Sequence, residues 1–418
     1  MDFFRVRHRK NKGVVEVYPE FVVKPSKDLM VRGKNFYAIW DEEIGMWNQN
    51  EYRFKEIVDK EVRTTLDEMA NYYSDALMPL YLENFSSKMW TSFCNYISSL
   101  PDNYHQLDSK LTFANTEAKK TDYISRRLPY ALEKGDHSAF DEMLGTLYSE
   151  TELEKLLWAI GSIVSGDSVK IQKFIALYGD PGAGKGTFID IINMLFEGYT
   201  VALDVEALTS RGDAFATDVF RNNPLVGFQQ DTDLSRIDKN TTFNSIISHE
   251  IISMKQKYKD SFNARANCFI FVGSNEPVKI TNGKSGLLRR LIDVTPSGRK
   301  IPSRRYHTLK NRIKFELGAI AEYCLQFYLD RGPDFYDDYR PINMQFKTDP
   351  FFNFVDYNRF EFQKEDGVSL KAAYTMYKEY IKGKYTASMS ALYGNSSQSA
   401  PSESQYDYQE RDYPHNSK

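Results

Sequence analysis

The 418-residue sequence predicts an α/β fold with a parallel sheet at its centre, preceded by a mainly helical domain. Three observations carry this. An apolar, β-rich run, Phe174-Ile175-Ala176-Leu177-Tyr178, leads into a glycine-rich loop and then into the helical pattern Phe188–Phe196. Three further apolar runs of strand length follow, at 224–229, 268–273 and 290–294, separated by loop- and helix-forming segments. Before residue 165 the aliphatic and aromatic residues instead recur every three or four places, over 53–73, 87–100, 140–147 and 152–164.

Taken in order, residues 1–33 are expected to form a basic N-terminal arm, because Arg5 to Lys12 is rich in cations. Residues 34–165 form the mainly helical domain. It opens on two short strands, 35–40 and 45–48, joined by the acidic turn Asp41-Glu42-Glu43, and Pro101-Asp102-Asn103 breaks its second helix. Residues 166–300 are the nucleotide-binding motor. Residues 301–385 hold a long amphipathic helix from Thr308 to Asp330, closed by Gly332-Pro333, and a further helical module. Residues 386–418 turn to Ser, Gln, Asn, Tyr and Pro. That composition buries too little apolar surface to offset chain entropy, so a disordered tail is expected.

Hydrophobic residues make up 41% and charged residues 27%, the balance of an ordinary soluble protein. The net charge of −3 gives no global basic field, so any nucleic-acid binding must be local. Cys94, Cys268 and Cys324 are odd in number and far apart. They suggest a reducing, intracellular compartment rather than a disulfide framework or zinc cluster. The opening residues lack a signal-peptide apolar region and no apolar run approaches membrane-spanning length, so no membrane partner is expected.

The chemistry begins at Gly179-Asp180-Pro181-Gly182-Ala183-Gly184-Lys185-Gly186-Thr187. Its glycines let backbone N–H groups turn inward around phosphate oxygens, the following helix N-terminus adds a favourable dipole, and Lys185 adds a point charge. ATP with Mg²⁺ is the expected ligand. The hydroxyl residue that usually follows the lysine is Gly186, so the metal role passes to Thr187 or a water, together with Asp231. Asp231 ends the strand Leu225-Val226-Gly227-Phe228, with Asp233 in reserve; an acid there suits Mg²⁺ and water, and equally a helix cap. Asn275 ends the run 269–273 where ligands of parallel sheets sit, and can sense a γ-phosphate or stabilise the turn before Pro277. Arg289 and Arg290 precede the next strand, as an arginine finger donated to a neighbouring subunit or as a surface ion-pair couple. Lys255, Lys257, Tyr258 and Lys259, on a hairpin or loop, suit phosphates and base stacking in single-stranded nucleic acid; a solvated face is the plainer reading.

In order and spacing these residues resemble the superfamily 3 helicases, the helicase half of primase-helicases of poxviruses, large DNA viruses, phages and plasmids. The resemblance runs from about Lys34 to Tyr385. Gly179–Thr187 is similar to the family's motif A, the strand ending at Asp231 to motif B, and Phe271–Pro277 to motif C. Ser248 to Lys259 resembles the motif carrying a DNA-contacting lysine, and Arg289-Arg290 the arginine finger. Val368 to Tyr374, then Tyr377, resembles the start of a winged-helix module. The resemblance implies an AAA+-type ATPase fold, DNA unwinding with 3′-to-5′ travel, and a homo-oligomeric, most simply hexameric, ring. It also implies single-stranded DNA and replication proteins such as primase or polymerase as partners. Gly186, and Gln229-Gln230 beside the acid, depart from the pattern. The loop is also similar to that of adenylate kinases, which leaves a nucleotide kinase, or an ATP-binding replication factor without turnover, as alternatives.

Overall fold

The computed structural model describes residues 2–22, 26–32, 35–73, 75–82, 95, 105–209, 215–232, 241–256, 259–277, 286–342, 344, 350–358 and 368–393. They fall into two compact units, Met1–Thr348 and Asp349–Lys418.

The chain opens on an antiparallel hairpin, β1 (Phe4–Asn11) and β2 (Val14–Phe21), turned at Lys12-Gly13 with φ of 48° and 84°. Two successive left-handed residues match the right-handed twist of the strands they join. The basic segment is therefore a strand rather than an arm. The cations that suggested an arm find carboxylates across the hairpin and beyond it: Arg7 with Glu20 (2.8 Å), Arg9 with Glu16 (2.6 Å) and Lys10 with Asp75 (2.8 Å). Val15 and Val17 bury the opposite face.

A second antiparallel sheet joins β3 (Leu29–Arg32), β4 (Asn35–Asp41) and β5 (Met46–Asn48), the last two being the strands read around the acidic turn. Helix α1 (Glu51–Ala70) follows, capped by the Asn50 side chain, which accepts from the Tyr52 amide at 2.9 Å. Strand β6 (Ala76–Pro79) then lies parallel to β2. The region expected to be mainly helical thus carries sheets as well. The helix expected at 87–100 lies outside the described residues apart from position 95.

Helices α2 (Ser138–Leu147) and α3 (Glu150–Ser165) lead to the central sheet. Its first strand is β7 (Phe174–Tyr178), followed by α4 (Lys185–Leu195), β8 (Thr200–Ala202), α5 (Val205–Thr209) and β9 (Val226–Thr232). Helix α6 (Thr241–Ile247) and an antiparallel hairpin, β10 (Ile251–Gln256) with β11 (Lys259–Arg265), come next. Strands β12 (Phe269–Ser274) and β13 (Leu291–Val294) complete the sheet, in the order β13-β7-β12-β9-β8. Every pairing is parallel, with Ile175, Phe271 and Phe228 side by side across its middle. Strand β8 had no separate signal in the sequence.

A parallel sheet needs both faces covered, and here each face has its own core. Alternation along β7 sends Ile175 and Leu177 to one, with Phe188, Ile191 and Ile320, and Phe174 and Ala176 to the other, with Phe243 and Ile246. The first core also holds α2, α3 and α7 (Ser303–Arg331). Trp158 of α3 lies 6.0 Å from the Tyr328 ring and donates to the Gly332 carbonyl at 3.0 Å. Because that core spans them all, no break between compact units falls at the expected boundaries near 165 and 300.

In the second unit α8 (Pro350–Tyr357) packs on α9 (Leu370–Tyr393) through Phe354, whose ring lies 5.3 Å from Tyr377 and 5.7 Å from Tyr380. Helix α9 continues through 386–393, where the tail was expected to begin; 394–418 lie outside the described residues.

Candidate nucleotide site

Strand β7 is buried throughout and ends at the glycine loop; α4 begins at Lys185. Between them the chain reverses through Gly179, Gly182 and Gly184, with φ of 151°, 76° and 114°. A Cβ at Gly184 would also meet the Leu147 side chain at 3.1 Å, so the α2 end presses the loop into place. These are backbone states that favour glycine and aim successive amides inward.

Three predicted residues converge beside this loop. The buried Lys185 ammonium donates to the Gly179 carbonyl, to the Asp180 carbonyl at 3.0 Å and to Asn275 Oδ1 at 2.9 Å. Asn275 Nδ2 in turn donates to Asp231 Oδ1 at 3.1 Å. The row Lys185–Asn275–Asp231 fixes the amide orientation: its oxygen faces the cation and its NH₂ faces the carboxylate. Strand order explains the convergence, since β12 lies between β7 and β9: Asp231 and Asn275 sit at or just past neighbouring C-terminal ends, and Lys185 begins the helix that follows the loop at the end of β7. A Cβ at Gly273 would meet the Gln230 carbonyl at 2.3 Å, so glycine there permits the close approach of the two tips. Burial holds the Lys185 pKa below the ordinary lysine range, against the opposing charges of Asp231 and Asp180.

Other predicted residues are placed differently. Thr187 Oγ1 donates to the Tyr306 hydroxyl of α7 at 3.4 Å, so its hydroxyl faces that helix. Gly186 has open space where a Cβ would stand. Arg290 is buried, its Nε and Nη2 donating to Ser248 Oγ at 2.9 and 2.6 Å and its Nη1 to the Gly286 carbonyl at 2.6 Å. Burial lowers its pKa, and the neighbouring Arg289 charge adds to this. Of the arginine pair, Arg290 is thus held inside its own subunit. Arg289 is exposed.

Gln229 and Gln230 have structural partners. Gln229 Oε1 accepts from the Val205 amide at 2.7 Å at the start of α5, and Gln230 Nε2 reaches Asp190 Oδ1 at 3.5 Å. Asp190 also binds Lys310 of α7 at 2.6 Å. Asp190, Tyr306 and Lys310 were missed in the sequence. The available signals were one acid inside an otherwise apolar helical run, and a Tyr/Lys pair four apart.

Lys255 and Lys259 lie on the facing ends of β10 and β11, with Gln256 opposite Lys259. Their side chains, with Lys257, Tyr258 and the reserve acid Asp233, lie outside the described residues. Among the described residues no group of three His, Cys, Asp or Glu side chains is arranged to hold a metal, and no helix is long and apolar enough to cross a membrane. Cys268 and Cys324 are buried thiols whose pKa values burial raises; Cys94 is outside the described residues.

The profile of a family of unknown function, DUF5906, matches residues 177–290, from the end of β7 to Arg290. Among solved structures, the chain is similar to the A form apo structure of the NrS-1 C terminal region, at 16% identity and a TM-score of 0.38, over 47% of each chain. This chain therefore spans about half the length of that structure. A second apo structure of the NrS-1 C terminal region aligns at 13% identity and a TM-score of 0.39, over 63% of this chain and 68% of that one.

Proposed function

We propose that this chain is an ATP-hydrolysing DNA helicase motor of a viral, phage or plasmid replication system. In this reading it works on single-stranded DNA as an AAA+-type homo-oligomeric ring, most simply a hexamer, beside replication proteins such as a primase or polymerase. The observation that carries the reading is the hydrogen-bonded row Lys185–Asn275–Asp231 across three adjacent strand ends, beside a loop of left-handed glycines.

Each residue then has a distinct task. Gly179 to Thr187 line the phosphates with backbone amides, and Lys185 exchanges its internal oxygen partners for β- and γ-phosphate oxygens. That exchange releases Asn275 Oδ1 while Nδ2 stays on Asp231, so the amide is free to report on the γ-phosphate. Asp231, exposed at the tip of β9, orients hydrated Mg²⁺ and the attacking water. Mg²⁺, when bound, neutralises charge on the β- and γ-oxygens. Arg289 is the residue of its pair suited to donation across a subunit boundary. The β10–β11 hairpin, with Lys255, Lys257, Tyr258 and Lys259, follows single-stranded DNA in the ring channel, and α8 with α9 begins a winged-helix-like module.

The test is ATP binding and turnover, with and without a single-stranded oligonucleotide. Wild type should hydrolyse ATP and be stimulated by the strand. Asp231→Asn should bind ATP normally yet turn over at least a hundredfold more slowly. Mixing Arg289→Ala with Lys185→Ala subunits should restore part of the activity at mixed boundaries. Phosphoryl transfer to a nucleoside monophosphate, without strand stimulation, would transfer the assignment to a kinase; binding without turnover would leave a non-hydrolysing factor.

A further inference from the structure

The sequence from Arg299 to Phe315 contains seven Lys or Arg residues and no Asp or Glu. It follows β13 after a short connection and runs into the first half of α7. Three of its cations have carboxylate partners: Arg305 with Glu142, Lys310 with Asp190, and Arg312 with Asp136 and Glu316. The other four, Arg299, Lys300, Arg304 and Lys314, are exposed and make no ion pair among the described residues. Along α7, positions 304, 307, 311 and 314 follow the helical spacing of one face. Beside them the Phe315 ring is 92% exposed.

Solvation alone accounts poorly for this distribution. The second half of the same helix, Glu316–Arg331, holds three acids and one cation, while the first half concentrates cations at the positive end of the helix dipole. The first turn has no acid and Pro302 offers no side-chain cap. Arg304, which has no carboxylate partner among the described residues, therefore opposes the local electrostatics of the helix it begins. A bound polyanion removes that opposition, and an aromatic face beside the charges suits a base.

We infer that the Arg299–Phe315 segment is a nucleic-acid surface distinct from the β10–β11 hairpin, with Arg299, Lys300, Arg304 and Lys314 on backbone phosphates and Phe315 stacking on a base. It stands on charge and exposure and does not rest on the hydrolysis reading. Nucleic acid fits this surface better than an acidic protein, because the exposed ring supplies a stacking platform.

The test is binding of a fluorescent 20-nucleotide dT strand to the full chain without nucleotide, titrated over salt, with a 20-residue polyglutamate peptide as the competing polyanion. The variant R299Q/K300Q/R304Q/K314Q should weaken dT binding at least tenfold and flatten the log–log salt slope by about 2–3. Phe315→Ala should weaken binding about tenfold and leave the slope unchanged. The quadruple variant should melt no lower than wild type, since it removes cations from the helix N-terminus. ATP turnover without DNA, measured in parallel, should be unchanged, which separates this surface from the nucleotide site. Unchanged dT affinity and slope in the folded quadruple variant would overturn the inference. So would polyglutamate binding as tightly as dT.

Discussion

Cations behave differently in two regions of this chain's first unit. In the N-terminal hairpin, Arg7, Arg9 and Lys10 stand on an exposed strand and meet carboxylates at the surface. At the tip of the central sheet Lys185 is buried, meets carbonyl and amide oxygens, and lies one hydrogen bond from a residue that reaches Asp231. Exposed pairs are screened and cost side-chain entropy, so they contribute little to stability. In the proposed function, a desolvated ammonium held by neutral oxygens exchanges them for phosphate. Charge type alone does not separate these two kinds of cation; the dielectric and the partners do.

That contrast is broken most directly at Lys185. Lys185→Ala should weaken ATP binding at least a hundredfold, about 2.8 kcal/mol, in a fluorescent-nucleotide titration. If binding survives within a factor of three, the buried cation is structural and the contrast fails. Asn275→Ala comes next: turnover should fall about a hundredfold while ATP affinity stays within about threefold, because the amide links the cation to the acid rather than holding the nucleotide. Equal losses in affinity and rate would dissolve that division.

The arginine pair repeats the comparison over one residue. Arg290→Ala should lower unfolding stability by about 1–2 kcal/mol in denaturant titration, since it strips the donors from the half-buried acceptors at Ser248 and Gly286. Arg289→Ala should change stability by less than about 0.5 kcal/mol, as for other exposed side chains. Gly186→Ser fills open space with a hydroxyl at the usual metal position and should lower the Mg²⁺ needed for half-maximal turnover by about threefold. A rise in that requirement would show that Gly186 is needed for backbone approach. The smallest effect is expected at the hairpin: Arg9→Ala should alter stability by no more than about 0.5 kcal/mol, and one larger than 1.5 kcal/mol would erase the distinction drawn above.

Much was legible without coordinates where local periodicity and tertiary role coincide. Four of the five central strands, the glycine loop and the long helix, read from Thr308 and found from Ser303, are legible because buried parallel strands are continuous apolar runs and the loop needs glycine at fixed offsets. The N-terminal hairpin was misread because its strand-forming half, Val14–Phe21, lies beside a run of cations whose carboxylate partners appear only once the strands pair. The residues at the sheet tip were nameable from their places after apolar runs; their connection was not.

The sequence by itself determined the chemical types at those tips: a lysine after a glycine loop, an amide after 269–274 and an acid after 225–230. Only the tertiary structure decided that the strand carrying Asn275 lies between the other two, which brings positions 90 and 44 residues apart into one hydrogen-bonded row. It also decided that Arg290 turns inward while Arg289 stays in water, and that the Thr187 hydroxyl faces Tyr306. Strand order and side-chain direction arise from how two apolar cores close over the faces of one sheet. That is a property of the packed whole, which no local window of the chain contains.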